Sequence, residues 1–187
     1  MAEKNIANIR SFGDMDSDVF TAPLGTAKPT GLDIEAIWAS IGWLSEDGAD
    51  ESLSVSSRKT KVWDGSTGRT RNTGTEKTMT VAAIESNPEV FALFYGSAPA
   101  TIIPGAAGSP SLAEIEIPGA VGTVARAGLF RFMDGEYTYL RYNTRVEVSE
   151  RGSVSYKIAD DAVRELTFDL LGRDYWITDD PAFQTAA

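Results

Sequence analysis

Two residue types, cysteine and histidine, are missing from this sequence altogether. The absence of cysteine excludes disulfides and thiolate nucleophiles, and the absence of histidine removes the commonest general base and the commonest zinc ligand. No apolar run approaches the ~18 residues that span a membrane, since the longest covers only residues 90–95. Residues 1–18 also lack the apolar centre of a secretory signal. We therefore expect a chain that uses no cofactor and does not enter a membrane.

Positive charge is also scarce, with 17 basic against 27 acidic side chains and a formal net charge of −10. This balance argues against tight binding to nucleic acid, which needs clustered Lys and Arg to neutralise phosphates. The exception is residues 51–78, which carry six basic and three acidic side chains. This segment is either a solvated hairpin with some lysines on it or a patch that docks on an acidic surface of another copy.

What the sequence has in abundance is strand patterning, which is clearest over residues 136–173. Apolar and polar residues alternate over 137–148 and again over 162–170. The apolar positions are Leu140, Tyr142, Val146, Val148, Leu166, Phe168 and Leu170. The polar positions are Arg141, Asn143, Arg145, Glu147, Glu165, Thr167 and Asp169. Because strand side chains alternate between faces, the pattern predicts a long antiparallel sheet with one buried face and one face in water.

A second strand pair is predicted over residues 51–84. Residues 51–63 and 67–84 have strand patterning, and the Asp-Gly-rich loop 64–68 joins them into a long protruding hairpin. The basic residues near its tip are Arg58, Lys59, Lys61, Arg69 and Arg71. A phosphate-binding loop at Gly65 to Gly68 is rejected, because it lacks the Gly-Lys-Ser/Thr ending and a following helix.

One helix is predicted over residues 87–95. Asn87 is the N-cap, Pro88 takes the first helical position, and Gly96 ends the helix. Residues 31–41 place four apolar side chains at helical spacing, which predicts a short amphipathic turn or helix there. Residues 42–48 then form a turn with Asp-Gly in it.

The domain organisation follows from these elements. Residues 1–30 form an extended arm with little regular structure, residues 31–177 one β domain, and residues 178–187 a flexible tail. The predicted fold is mainly β with an α+β character: a β-sandwich or split barrel with one packed helix. Residues 14–18 begin like a calcium loop, but Val19 and Gly25 stand where its glycine and glutamate belong. Aromatic residues at 175–177 either cap the core or contact a neighbour.

No catalytic constellation is visible in the sequence. Glu114 and Glu116 share a strand face but lie in a Gly/Pro-rich segment and are interpreted as solvated. Ser155 and Lys157 do not have the Ser-x-x-Lys spacing of penicillin-binding enzymes. We therefore predict that the protein is not an enzyme.

Taken in order, five segments give the chain a family resemblance. They are residues 22–29 (APLGTAKP), residues 42–48 (GWLSEDG), the basic hairpin around Trp63, residues 85–96 (ESNPEVFALFYG) and the hairpin 128–148. In their order and spacing the chain resembles the major tail tube proteins of long-tailed bacteriophages with non-contractile tails. The resemblance spans residues 19–172.

The resemblance implies a structural virion protein. Its subunits would form hexameric rings that stack into a hollow tube for DNA delivery, with an inner barrel completed by neighbours. Other tail proteins, such as the tape measure and the tail terminator, would be partners, and the host cytoplasm would hold the subunit before assembly. DNA would pass without specific binding. The inter-ring contact candidates are Arg58, Lys59, Lys61, Trp63, Arg69 and Arg71.

The resemblance also implies that the wet face of the sheet lines the lumen. The lumen-facing candidates are Arg141, Arg145, Glu147, Glu165 and Asp169. An overall negative lumen would let DNA slide, and the two arginines conflict with this. Either the carboxylates offset them or another face lines the lumen.

A different function remains open beside this one. Exposed aromatic residues such as Trp43, Trp63 or Trp176 would serve a β-sandwich adhesin or carbohydrate-binding module as stacking platforms. Concentration-dependent rings or tubes would favour the tail tube, and a stable monomer that retains a glycan would favour the binding module.

Overall fold

A computed structural model describes residues 9–13, 16–106 and 108–184. The strands of these residues are β1 (Asp18–Ala22), β2 (Ala39–Ser40), β3 (Leu44–Lys61), β4 (Thr67–Ala83), β5 (Thr101–Ile103), β6 (Leu112–Glu114), β7 (Ala125–Asp134), β8 (Tyr137–Arg151), β9 (Arg164–Leu170) and β10 (Asp174–Thr178). Helix α1 covers Pro88–Tyr95, and a 3₁₀ turn covers Pro181–Phe183. Over the described ranges, no helix has the length and hydropathy needed to cross a bilayer.

Eight of these strands form one antiparallel sheet. Its order is β2-β1-β7-β8-β9-β4-β3, and β10 also pairs with β8. One edge of β8 pairs with β7; the other pairs first with β10, over residues 139–143, and then with β9, over residues 146–151. Strands β5 and β6 form a separate two-stranded sheet. The predicted mainly-β fold with one packed helix is confirmed.

The core lies on both sides of this sheet. The larger cluster contains Val19, Phe130 and Phe168, and the buried side chains of α1 (Val90, Leu93 and Phe94) pack into it. The smaller cluster contains, among others, Phe20, Trp38, Leu129, Leu140 and Tyr142. Neighbouring residues of β1 and β7 therefore point into different clusters, and this part of the sheet has no wet face.

The prediction that the apolar residues of β8 share one face is wrong. Arg126 of β7 pairs with Val146, but Gly128 pairs with Asn143, so β8 contributes one extra residue. This β-bulge reverses the alternation. Leu140 and Tyr142 consequently pack in the smaller cluster, whereas Val146 and Val148 pack in the larger one.

The Asn143 side chain holds the bulge in place. Its Oδ1 atom accepts hydrogen bonds from the Arg145 N–H at 2.9 Å and the Gly172 N–H at 3.1 Å. A Cβ atom on Gly172 would overlap the Thr144 hydroxyl and the Arg145 backbone nitrogen. Glycine is therefore required where the chain leaving β9 crosses the bulge.

Helix α1 begins and ends where the capping pattern indicates. Asn87 has an extended backbone, and its Oδ1 atom accepts a hydrogen bond from the Val90 N–H at 2.9 Å. Pro88 occupies the first turn, and Gly96 closes the helix with a left-handed φ of 64°. Local residues thus set both ends of this short element.

The N-terminal region differs from the prediction. Within the predicted arm, Asp18–Ala22 forms β1, which pairs with β2 and β7 and is almost entirely buried. Residues 31–41 are not helical, since the Trp38 N–H donates to the Glu35 carbonyl in a single turn and the chain then enters β2. The alternative prediction of a short turn is the one the structure has.

A further difference concerns the start of β3. Residues 44–48, predicted as part of a turn, belong to β3, which has an irregular register between Leu44 and Ala49. Residues 1–8, 14–15, 107 and 185–187 lie outside the described residues. The start of the predicted arm, the start of the rejected calcium loop and the end of the predicted tail fall there.

Candidate functional site

The hairpin β3–β4 extends well beyond the body of the protein. Strand β4 pairs with β9 only over Thr78–Ala83, while β3 and β4 continue to pair with each other as far as Lys61 and Thr67. We call residues 53–77 the distal hairpin. Nine residues, 53–61, span roughly 30 Å at the rise of an extended strand. Almost every residue of the distal hairpin is exposed.

The tip of the hairpin is a closed loop. The Val62 N–H donates to the Ser66 carbonyl at 3.0 Å, and the Gly65 N–H donates to the Val62 carbonyl at 2.9 Å. The side chain and backbone of Ser66 donate hydrogen bonds to the Asp64 carboxylate and lower its pKa. The Trp63 side chain is not enclosed by the loop, since it is fully exposed at 105%. The loop thus holds a large apolar side chain in water.

One face of the distal hairpin brings three predicted contact residues together. Arg58 lies directly opposite Arg71, and Arg69 lies opposite Thr60 on the same face. The three arginines line a shallow cleft. In the part of the chain that the structure describes, no carboxylate lies within ion-pair distance of them. Like charges placed opposite each other destabilise a strand pair, so this arrangement suits an external acidic partner.

The other face of the distal hairpin is partly apolar. Leu53 and Val55 share it with Lys59 and are 60% and 50% exposed. Met79 and Val81 lie on the same face nearer the body, where they are 1% exposed. The face that is buried in the body therefore continues along the distal hairpin, where no described part of the chain covers it.

A buried arginine fixes the base of the hairpin to the body. Arg141 Nε donates to Asp174 Oδ1 at 3.0 Å, and Nη2 donates to Asp174 Oδ2 at 2.8 Å. Its Nη1 atom forms an ion pair with Glu51 Oε1 at 2.7 Å, although without hydrogen-bond geometry. Lys77 reaches the same Asp174 at 3.1 Å. Strands β3, β4, β8 and β10 meet in this network.

The network shows that one predicted lumen residue is buried, and it changes the pKa of one carboxylate. Arg141 is 1% exposed, so it does not lie on a wet face. The reason is that Arg141 precedes the β8 bulge, where both faces of the strand are covered. Burial alone would raise the pKa of Asp174, but hydrogen bonds from Arg141 and Lys77 outweigh burial and lower that pKa.

The other four predicted lumen residues share one face. Glu147 lies opposite Asp169, and Arg145 Nε donates to Glu147 Oε1 at 2.7 Å. Thr167 and Glu165 continue this face along β9, opposite Thr80 and Ala82 of β4. We call these residues, together with Thr78, the polar face. It carries three carboxylates and one guanidinium, and that guanidinium is already paired with a carboxylate.

A groove beside β1 was not foreseen in the sequence. It has a volume of ≈ 730 Å³ and is bordered by the chain before β1, the start of β3 and parts of β7 and β10. Its carboxylates are Asp16, Asp18, Glu46, Asp47, Glu51 and Glu85, and its aromatic side chains are Phe12, Trp43, Phe132 and Trp176. Residues 1–50 carry nine acidic and three basic side chains, but only the fold brings four of these acidic residues together with Glu51 and Glu85.

Some carboxylates of the groove are engaged within the chain. Ser40 Oγ donates to Asp18 at 2.6 Å, although burial is the larger influence and raises the pKa of Asp18. The Trp43 N–H donates to Glu85 at 3.2 Å. Glu46 and Asp47 are exposed. Among the described residues, no group of three or more acidic side chains is arranged to hold a metal ion.

Comparison with known proteins assigns the chain to a protein family. A family model described as "Phage tail tube protein" matches residues 15–187. Among solved structures, the chain is similar to one from "Virion of native gene transfer agent (GTA) particle", with 8% identity and a TM-score of 0.46 over 88% of this chain and 98% of that chain. No curated protein matches the sequence significantly.

Proposed function

Because the chain belongs to the phage tail tube protein family, we propose that six copies close into a ring and that rings stack into the hollow tube that delivers DNA. The family is structural rather than enzymatic, and the chain is a structural protein of the phage tail in the virion. The tape measure and the tail terminator are proposed partners, the first within the tube and the second at its end. The subunit would wait in the host cytoplasm before assembly.

The observation that carries this proposal is the distal hairpin. It projects from the body, and its apolar and arginine side chains lack partners within the described residues. Exposed apolar surface next to clustered charge is typical of an interaction surface. We propose that the contact residues Arg58, Lys59, Lys61, Trp63, Arg69 and Arg71 dock on the next ring.

The polar face is the proposed lumen wall. Its candidates are now Arg145, Glu147, Glu165 and Asp169, while Arg141 is removed because it is buried. The remaining face has a net negative charge, which favours sliding of DNA over adhesion. In a closed ring, the neighbours' strands would also cover the sheet edges that β2 and β3 leave open.

Charge reversal at the hairpin tests the docking. We expect Arg69→Glu/Arg71→Glu to block tube growth in electron micrographs of concentrated protein, while the thermal unfolding midpoint stays unchanged. The matched control is Lys157→Glu/Arg173→Glu, which changes the net charge equally at exposed sites on other segments and should leave the tubes intact. Long tubes from the hairpin variant would contradict the electrostatic docking.

The adhesin or carbohydrate-binding alternative has less support. Trp63 lies at the hairpin tip, whereas Trp43 and Trp176 border the groove at the hairpin base. The exposed indoles therefore do not form one stacking platform. A monomer that stays single at high concentration and retains a glycan would reinstate this alternative.

A further inference from the structure

The groove at the base of the hairpin and the hairpin tip carry opposite charge, and both expose aromatic side chains. We propose that the groove of one copy receives the hairpin tip of a second copy, with the Trp63 indole against the groove aromatics and the basic side chains against its carboxylates. This inference rests on the proposed function, in which copies stack, and it names the surface on which the hairpin docks.

Charge is the first support for the match. Among the described residues, six carboxylates and one guanidinium, that of Arg131, border the groove. Arg131 is already engaged, since its Nε donates to the Asp16 carbonyl at 2.7 Å and its guanidinium lies over the Phe20 ring. Residues 58–71 of the tip carry five basic side chains and one acidic side chain, Asp64. Opposite fields of this kind attract and orient two surfaces.

Apolar surface is the second support. Trp43 and Trp176 at the groove are 57% and 51% exposed, and Phe12 is 49% exposed. Trp63 is the most exposed of the tryptophans. Tryptophan is enriched among the residues that dominate binding energy at protein interfaces, where it lies in a desolvated pocket. Docking would cover exposed indoles on both sides of the contact.

The hairpin tip of a copy cannot reach the groove of the same copy. Ala49 borders the groove, and β3 runs from there to Lys61 without leaving its pairing with β4. Twelve residues of strand separate the two ends by roughly 40 Å, and the paired strands cannot fold back. The occupant with the matching chemistry is therefore the tip of another chain.

The positions of tip and groove also fix the kind of assembly. The tip lies at the far end of the hairpin and the groove lies at its base, so two different surfaces meet and the interface is heterologous rather than self-complementary. Each added copy presents a new free tip or a new free groove, and growth is open-ended. The tip loop is already closed by hydrogen bonds between Val62, Gly65 and Ser66, so little ordering opposes docking.

Truncation of the anchor is the first test. Trp63→Ala should raise the critical concentration for tube formation at least about tenfold, because a hot-spot indole is lost, while the unfolding midpoint stays unchanged. The matched control is Ile158→Ala, since Ile158 is another fully exposed apolar side chain and lies on a different loop. Equal effects of the two variants would overturn the assignment of Trp63.

Charge exchange tests the groove itself. Glu46→Lys/Asp47→Lys alone should block tube growth as Arg69→Glu/Arg71→Glu does. Each double variant places like charges on the groove of one copy and the hairpin tip of the next. The four substitutions in one chain restore opposite charges and should restore tubes. If each pair blocks growth and the combination does not recover, the hairpin docks elsewhere and the groove proposal is overturned.

Introduced cysteine pairs test the contact directly, since the chain has no cysteine of its own. In assembled tubes, Thr67→Cys/Ser45→Cys should oxidise to a ladder of covalent multimers on a non-reducing gel. Thr67→Cys/Ser111→Cys, whose second thiol lies beside β6, should give none. Tubes without the ladder would overturn the groove proposal and leave the tail tube proposal intact, whereas wild-type protein that never forms rings or tubes would overturn the tail tube proposal.

Discussion

The two halves of β4 differ in what surrounds them. Thr78–Ala83 lies between β3 and β9, and its inward side chains Met79, Val81 and Ala83 are at most 1% exposed. Residues 67–77 pair with β3 alone and are largely exposed. The same strand thus contributes to a core in one half and to an open surface in the other.

This difference separates stability from assembly along one strand. The inner half stabilises the chain by burial of its apolar face, which contributes on the order of 25 cal/mol per Å². The distal half buries almost nothing within its own chain, so substitutions there should act on contacts between copies. Substitutions made in pairs, one in each half, test this division.

The largest expected difference is between two aromatic truncations. Phe168 is 1% exposed and packs edge-to-face on Phe130 in the larger cluster. Phe168→Ala should lower the free energy of unfolding by about 3–5 kcal/mol, because it leaves a cavity. Trp63→Ala should change it by less than about 0.5 kcal/mol, because the indole is fully exposed. Urea titrations of both variants measure this, and a comparable loss in both would show that the distal hairpin stabilises the monomer.

The next effect concerns two arginines of β8 on opposite sides of the bulge. Arg141→Met removes a buried cation and leaves Asp174 with Lys77 alone, so we expect a loss of about 2–3 kcal/mol. Glu51 reduces the cost because it is 42% exposed and can be solvated. Arg145→Met breaks a pair in which the arginine is 54% exposed, and the loss should be under about 1 kcal/mol.

Two measurements distinguish the role of Arg141 from general destabilisation. Hydrogen exchange should quicken at the hairpin base in Arg141→Met, because Glu51 of β3 loses its link to β8. Arg141→Met/Asp174→Leu should recover part of the stability, since it also removes the partly buried carboxylate that would have only Lys77 as a partner. Equal losses from Arg141→Met and Arg145→Met would contradict the view that the bulge separates a buried arginine from a wet one.

The bulge also shows where sequence reasoning reached its limit. Helix α1 and the hairpin were predictable because Asn87, Pro88 and the Asp-Gly loop act locally. The alternation of β8 breaks at three consecutive polar residues, 143–145, where the bulge lies, but Arg141 stands between Leu140 and Tyr142 as a wet-face residue would, so nothing local indicates that it is buried. The bulge depends on the hydrogen bond from the Gly172 N–H to the Asn143 side chain and on the close approach of Gly172 to the strand. Both are tertiary contacts.

The missed elements have a similar cause. Strand β1 is only five residues long within a polar region, and its burial comes from pairing with β2 and β7. The groove draws residues from segments that are far apart in the chain, so its acidic surface could be anticipated only as an excess of charge. The basic hairpin was predictable because its cationic residues cluster within residues 58–71.

The smallest expected effect is a pH dependence at the junction of the two regions. The folded-state pKa of Asp174 lies below its ordinary value of 3.8, so its ionised form favours the folded state. That contribution is fully present above pH 3.8 and is lost as the pH falls through the lower folded value. Asp174→Asn should therefore show a shallower fall of the urea midpoint below this pH than the wild type.

Asp18 provides the opposite sign within the same titration. Burial raises its pKa, so its ionisation costs stability above the raised value, and that cost is relieved as the pH falls. Asp18→Asn should remove this relief, which occurs as the pH falls through the raised value toward 3.8, and keep the fall that Asp174 causes at lower pH. If Asp174→Asn keeps the full wild-type fall, the Arg141 network does not stabilise the ionised carboxylate, and another contact must fix the hairpin to the body.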